Sequence, residues 1–336
     1  MTGVPFATPE RILIVALDNL GDLVFSSALA PPLREAFPNA TIDIWCKAYT
    51  APVAALVPHV RRVIAADPFW SPPAGHSRGP MLRFFGAMNE VRQGQYDVAV
   101  LSEAPWRTAA AVAAAAIPVR IGLARHRNDT FLTHVLPAQD PQKPVVREQG
   151  RMLKAFGIDN RANHYQLDAA PLSETVRALG GALPARFAAL HPFAGDRARC
   201  VPLGEWVRVA AQLETLGMPT VWVGTPEELA ELRRSQPQPR GSYSDALGEA
   251  EGDASLANTA AVLSRATCMV GHDSGPLHMA AAFGVPVVGV FAPGQPERTF
   301  PQGAGVWRML HRKTPTEISA SMIVREIEEL EVLPGR

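Results

Sequence analysis

The feature that most restricts the fold is the run Ile12-Leu13-Ile14-Val15-Ala16-Leu17, six apolar residues without a polar break. A strand that reads this way has no solvent face and belongs inside a parallel sheet with helices on both sides. A polar corner, Asp18-Asn19-Leu20-Gly21-Asp22, follows at once, and residues 22–36 then take helical spacing up to Pro38. Strand-like runs recur at 41–46, 63–64, 97–101 and 119–122, with helical spacing at 81–92 and an alanine-rich helix at 109–116. After a weakly patterned stretch at 157–185 the alternation restarts. Strands are expected at 187–191, 219–224, 268–270 and 285–291, and helices at 203–216, 255–265, 276–283 and 317–330. Gly217 stands where a left-handed residue would close the helix 203–216. The alternation predicts two doubly wound α/β domains, 1–165 and 175–315, followed by a closing helix within 316–336. In such sheets ligands sit beyond the carboxyl ends of the strands.

Composition narrows the function. Lys plus Arg and Asp plus Glu each number 32, so the net charge is zero, which argues against a whole-surface nucleic-acid binder. Cys46, Cys200 and Cys268 lie far apart and form no zinc or disulfide pattern, so no metal site and no cofactor are expected. The N-terminal residues carry no signal-peptide pattern, and the longest apolar stretch, 109–119, is too short for a membrane span. The expected location is cytoplasmic. Neither GxGxxG after the first strand nor GxxxxGK[ST] is present, which disfavours dehydrogenase and P-loop readings.

Two strand-to-helix corners carry the polar residues. Gly271-His272-Asp273-Ser274-Gly275-Pro276-Leu277-His278 follows one strand and opens a helix. Ser274 suits an N-cap, Pro276 suits the first turn, and Gly275 lets a ligand approach the backbone. The helix start offers an anion site; the plain alternative is an ordinary capped corner. At the other corner Asp22 falls in a first helical turn, where it is either a catalytic acid or only a helix-start charge.

These segments together resemble glycosyltransferase family 9, the heptosyltransferases. The resemblance rests on LDNLGDLV at 17–24, His191-Pro192-Phe193-Ala194, Pro202-Leu203-Gly204-Glu205-Trp206, Val221 to Glu228, and GHDSGPLHMAAAFGVPVVGVF from Gly271. It implies a GT-B fold of two Rossmann-like domains, with acceptor on the first, nucleotide-sugar, typically ADP-heptose, on the second, and the closing helix packed back on the first. It implies inverting, metal-independent transfer to an inner-core lipopolysaccharide acceptor, with peripheral contact at the cytoplasmic membrane face. Asp22 matches the general base. Asp273 matches the acid that holds donor sugar hydroxyls, and Ser274, Gly275, Pro276 and Leu277 match the pyrophosphate cradle. Glu228 matches the ribose acid and Ala254 the backbone position that meets adenine. His278 matches the motif histidine, either a ligand contact or a support for the loop. Arg199 replaces the family lysine expected at phosphate, with Arg197 as a second candidate.

The departures are specific. The family's HPG reads His191-Pro192-Phe193, its KRW reads Arg199-Cys200-Val201, and its two serines before the first GD read Asp18-Asn19. They leave open another nucleotide-sugar, a small-molecule or protein acceptor, a GT-B sugar-nucleotide epimerase, or a binding protein. For the acceptor, Asp18, Asn19 and Gly21 line the first corner. Residues 107–154 hold eight basic side chains, Arg120, Arg125 and Arg147 among them, against three acids. That excess suits an anionic saccharide or a lipid-linked acceptor, and Arg61 and Arg62 are candidates to extend it. The alternative is a surface of ordinary ion pairs. The Pro- and Gly-rich segment 67–80 reads either as a loop closing over the acceptor or as a surface turn.

Overall fold

The computed structural model describes residues 7–71, 81–159, 164–179, 181–235, 240–244 and 253–334. The candidate closing loop lies mostly outside them, at 72–80. The chain divides into two compact units, Met1–Leu167 and Asp168–Arg336.

The first unit holds strands β1 (Arg11–Ala16), β2 (Thr41–Cys46), β3 (Val60–Ala65), β4 (Val98–Leu101), β5 (Val119–Leu123) and β6 (His134–Leu136). They form one parallel sheet in the order β3-β2-β1-β4-β5-β6. Ile12 to Val15 are wholly buried, as an apolar run covered on both faces requires. The expected helix 22–36 is three pieces: Leu20–Ser26, a tightened turn Ser27–Leu29, and Ala30–Ala36. Pro31 and Pro32 lack the amides that would have bonded back to Ser27 and Ala28, so the regular ladder cannot run through.

The second unit repeats the plan with β7 (Ala188–His191), β8 (Thr220–Trp222), β9 (Ser242–Tyr243), β10 (Cys268–His272), β11 (Val287–Phe291) and β12 (Trp307–His311). Its order is β12-β11-β10-β7-β8-β9, again parallel. Counted from its own first strand, this is the order of the first sheet. The helix Leu203–Thr215 ends as expected at Gly217, whose φ of +76° lets the Met218 amide reach back to Leu213 O at 2.9 Å. The helix Gly275–Ala282 ends the same way at Gly284, φ +78°.

The closing helix is shorter than the expected 317–330. It spans Ala320–Glu328, and its apolar face, Ile323, Val324 and Ile327, is buried in the second unit's own core with Trp206, Leu213 and Leu310. The Ala320 amide, at its start, donates to Glu205 Oε2 at 2.8 Å. Ile323→Ala should therefore destabilise the second unit by about 2–5 kcal/mol, the usual loss for a fully buried large aliphatic, read as a lower denaturant midpoint.

Candidate functional site

In each sheet the strand order reverses beside the first strand, between β1 and β4 and between β7 and β10. Connections leave in opposite directions there, which opens a crevice at the carboxyl ends. Both informative corners stand at these points: Asp18 to Asp22 after β1, and Asp273 to His278 after β10.

In the first unit Asp22 occupies the first turn of Leu20–Ser26 and is half-buried. Burial pushes its carboxyl up to about 7, Asp18 and Glu103 push the same way, and the Asn19 backbone and Lys47 oppose them. Lys47 follows β2, is 1% exposed, and places Nζ 3.4 Å from Asn19 Oδ1. The Leu20 amide donates to the Tyr49 hydroxyl at 2.9 Å, and the Ala48 amide to Asp67 Oδ1 at 3.0 Å, so the β1 and β2 corners are tied down. After β4, Glu103 accepts from Arg125 at 2.6 Å and from Gln139 at 3.0 Å. Fully buried Asn128 fixes the Arg125 loop by accepting the Arg125 amide and donating to Ala104 O and Leu123 O. Thus Asp18, Asn19, Gly21, Asp22 and Arg125 share the carboxyl end of this sheet.

Three arginines do not join them. Arg61 and Arg62 sit in the first half of β3; Arg61 grips buried Asp43 through Nε at 3.0 Å and Nη2, and Arg62 pairs with Glu90. Tyr96 adds a third bond to Asp43 at 2.7 Å. Arg120 is the second residue of β5, and its guanidinium donates to Phe131 O and Ile117 O. Arg61 satisfies a buried acid, Arg62 an exposed one and Arg120 two carbonyls, all toward the amino ends of the strands and away from the corner after β1. Arg147 is exposed on the helix Val145–Gly150.

In the second unit Asp273 is the most constrained acid. His278 Nε2 lies 3.0 Å from its Oδ1, Thr299 donates to Oδ2 at 2.9 Å, and Arg199 Nη1 stands 3.6 Å from Oδ2. Burial alone would raise this carboxyl, but the His278 bond and charge, Thr299 and Arg199 outweigh it and hold it low. Arg199 borders a small pocket with Asp273, Phe291 and Pro293, and its buried Nε has no partner. Arg197 pairs with Glu231 at 2.8 Å and stacks over Phe193 at 4.7 Å. The Asp196 carboxylate caps this turn through the Ala198 amide.

Glu228 completes a capping box with Thr225 at the start of Pro226–Arg234. Burial favours its neutral form, but His191, the Thr225 amide and Arg197 bring it below the usual range. His191 bridges the two corners, with Nδ1 at 3.1 Å from Ser274 Oγ and Nε2 at 3.6 Å from Glu228 Oε2. His272 is neutral and fixed: Nε2 accepts the Val201 amide at 3.1 Å, Nδ1 faces Val290 O at 3.1 Å, and burial pulls it down to about 4.

Ser274 stands at the N-cap, yet its hydroxyl donates to His272 O and meets His191, so no side chain caps the helix Gly275–Ala282. The Gly275 and Leu277 amides therefore keep donors that a cap would have shared, and Pro276 has none to offer. The Leu277 side chain is wholly in the core and His278 is 2% exposed, so these two face the protein with their side chains. Ala254 lies in the first turn of the helix Asp253–Arg265. Phe193 and Val201, where two of the three motif departures fall, are buried in the core cluster and absorbed by packing. Among the described residues no cluster of His, Cys, Asp and Glu could hold a metal ion. Lys47, His191 and Thr299 were not singled out as site residues by their sequence context; Thr299 lies 26 residues beyond the acid it holds, and no local motif links them.

The profile of glycosyltransferase family 9 (heptosyltransferase) matches residues 85–320. Lipooligosaccharide heptosyltransferase 2 of Haemophilus influenzae is 24% identical over 319 residues, covering 87% of this chain and 86% of that protein. Lipopolysaccharide heptosyltransferase 3 of Escherichia coli is 22% identical over 279 residues, covering 81% and 80%. Among solved structures, a family 9 glycosyltransferase from Veillonella parvula matches with a TM-score of 0.79 and 18% identity over 96% of this chain and 97% of that one. The E. coli heptosyltransferase WaaC with ADP matches with a TM-score of 0.76 and 18% identity over 95% and 99%. The fold is that of these GT-B proteins, and with the family profile spanning most of the chain, the protein belongs to glycosyltransferase family 9, the heptosyltransferases, and is a glycosyltransferase.

Proposed function

We propose that the protein transfers a heptose from ADP-heptose to an anionic, lipid-linked inner-core saccharide, with inversion and without a metal ion, using Asp22 as general base. One observation carries the assignment of the base: a half-buried carboxyl at the switch point of the first sheet, pushed up to about 7. A base with that affinity is about half ionised at neutral pH and takes a proton readily, which is the condition for general base catalysis. In the reaction the acceptor hydroxyl gives its proton to Asp22 as its oxygen bonds to the anomeric carbon. The bond from that carbon to the diphosphate breaks, and its electron pair leaves on the phosphate oxygen. Attack from the face opposite the leaving group inverts the centre.

Charge grows on the departing diphosphate, and the second unit carries suitable donors for it. The Gly275 and Leu277 amides at a helix start, together with Arg199, would stabilise it more in the transition state than before. Their positive potential does the work that a metal does elsewhere, so transfer should survive a chelator. The partnerless Arg199 Nε supports this role, since a buried donor left unpaired in the protein suits a ligand oxygen. Solved relatives carry ADP and ADP-2-deoxy-2-fluoro heptose in their names, which supports the nucleotide. Phe193 and Val201 lie in the core, so the motif departures do not by themselves favour another donor. The excess of basic over acidic side chains in residues 107–154 supports an anionic acceptor. No described helix is long and apolar enough to cross a membrane, so a lipid-linked acceptor would be met from the membrane surface.

Asp22→Asn should lower kcat by about 10²–10⁴-fold while ADP affinity by calorimetry stays unchanged; full activity in that variant sinks the assignment. Arg199→Ala should weaken ADP binding by about 10–100-fold, the loss of one charge-assisted contact, and a preference for UDP or GDP in the same titration overturns the donor. The Asp22 carboxyl also sets a pH dependence of stability. Its folded affinity for protons exceeds the unfolded value, so it favours the fold below about 4 and loses that contribution as pH rises to about 7. Asp22→Asn should match the wild type in denaturant melts near pH 3 and exceed it at pH 8.

A further inference from the structure

The large apolar side chains that the first unit leaves exposed gather at one end of its sheet. Among its described residues, Met81, Leu82, Phe85 and Trp106 are four of the five, and all stand in the opening turns of two helices, Met81–Gln93 and Trp106–Ala114. The first of these helices runs back along the sheet. Its far end reaches the amino ends of the strands, where Arg62 pairs with Glu90 and Arg11 Nη1 donates to Gly94 O at 3.0 Å. Met81, nine residues before Glu90, therefore opens the helix about 13 Å away, toward the carboxyl ends. Trp106 follows the last residue of β4 by five positions, so its helix opens at the same end. The two helices also share a face of the sheet, since Phe84 and Val91 of one and Ala109 and Val112 of the other lie in the same core cluster. Glu103, three residues before Trp106, acts on the Asp22 carboxyl, so this is the end that holds the proposed base.

The exposed groups have a definite chemistry. Leu82 is 84% exposed. Phe85 is backed by Phe69 and Phe84, at 6.1 and 6.3 Å between ring centroids, and Trp70 packs edge-on against Phe84 at 4.8 Å. This backing fixes the Phe85 ring without covering it. Each opening turn sets one exposed arginine among its apolar groups, Arg83 on the first and Arg107 on the second, and Arg107 Cζ lies 4.7 Å over the Trp106 ring. Among the described residues neither arginine has an ion-pair partner, and residues 81–86 and 105–110 contain no acid. Apolar tips and an aromatic ring beside uncompensated guanidinium groups suit the boundary between acyl chains and headgroups. A protein that covered this edge would have to bring acids for both arginines as well as an apolar face. An anionic lipid layer supplies the two together.

We propose that these two helix starts form a docking edge that rests on an anionic lipid surface. Leu82 and Phe85 enter the headgroup boundary, Trp106 lies at its level, and Arg83 and Arg107 hold lipid phosphates. The inference rests on the reading of the acceptor as lipid-linked, and it names the face of the first unit that meets the lipid. Docked in this way, the unit turns the carboxyl end of its sheet toward the layer in which such an acceptor is anchored. The bilayer keeps the acyl chains, so the protein needs no pocket for them, and the saccharide alone has to reach the Asp22 corner.

The test is sedimentation of the whole chain with vesicles, without substrate, comparing phosphatidylcholine alone with phosphatidylcholine containing one-quarter phosphatidylglycerol. The protein should bind the anionic vesicles more strongly, and added salt should weaken that binding. Leu82→Ser and Phe85→Ser should each lower partitioning by about tenfold or more, and Arg83→Gln by about fivefold, with circular dichroism unchanged because these side chains are exposed. Brominated lipids should quench tryptophan emission more in the wild type than in Trp106→Phe, which locates the edge by a route that does not depend on the first variants. Absence of binding to the anionic vesicles at low salt overturns the proposal, as does undiminished binding of a Leu82→Ser, Phe85→Ser double variant. If the wild type ignores vesicles but forms a dimer that these substitutions dissolve, the edge belongs to a second copy of the chain and the proposal is overturned. The assay needs neither donor nor transfer, so vesicle docking by a protein that glycosylates no lipid-linked saccharide overturns the acceptor reading and leaves the docking edge standing.

Discussion

A strand that is apolar on both faces can exist only between two layers of helix, and this leaves polar chemistry only at its ends. β1 and β10 are such strands, and the molecule's informative acids stand within a few residues of where they stop. The reversal of strand order then separates the connections at one place per sheet. Burial of the sheet and location of the site are one constraint seen twice.

The two units handle a buried acid in opposite ways. Asp22 has mainly acids for neighbours and keeps its proton more readily than a carboxyl in water. Asp273 and Glu228 are also desolvated, but hydrogen bonds and positive charge more than offset that penalty and hold them ionised. The first arrangement suits a group that must change its protonation during a reaction. The second suits groups that must hold still and accept hydrogen bonds throughout.

Much of this was legible before any coordinates. The central strands announced themselves as unbroken apolar runs, and the corners after them as clusters of Asp, Ser, Gly and Pro. The outer strands did not. β6 and β9 have three and two residues, and β12 exposes Trp307 and Met309 beside Arg308 and His311 with only Leu310 buried, so none reads as a core strand. The helix Pro226–Arg234 carries its signal in Thr225 and Glu228, a capping box at its start. Counting charges placed Arg61, Arg62 and Arg120 with the acceptor set because composition does not say which end of a strand a side chain occupies. Lys47, His191 and Thr299 act across loops distant in sequence, and only the register of neighbouring strands brings them beside the acids they serve.

The closing helix has a consequence for how the chain is made. Ile323, Val324 and Ile327 complete the second unit's core, and each unit is one uninterrupted stretch of chain. The last strand of the first sheet ends at Leu136 and its unit at Leu167, before the first strand of the second sheet begins at Ala188. The first half can therefore bury its edges and apolar faces while the ribosome is still making the second, which shortens the time that a sticky parallel sheet stands open in the cell.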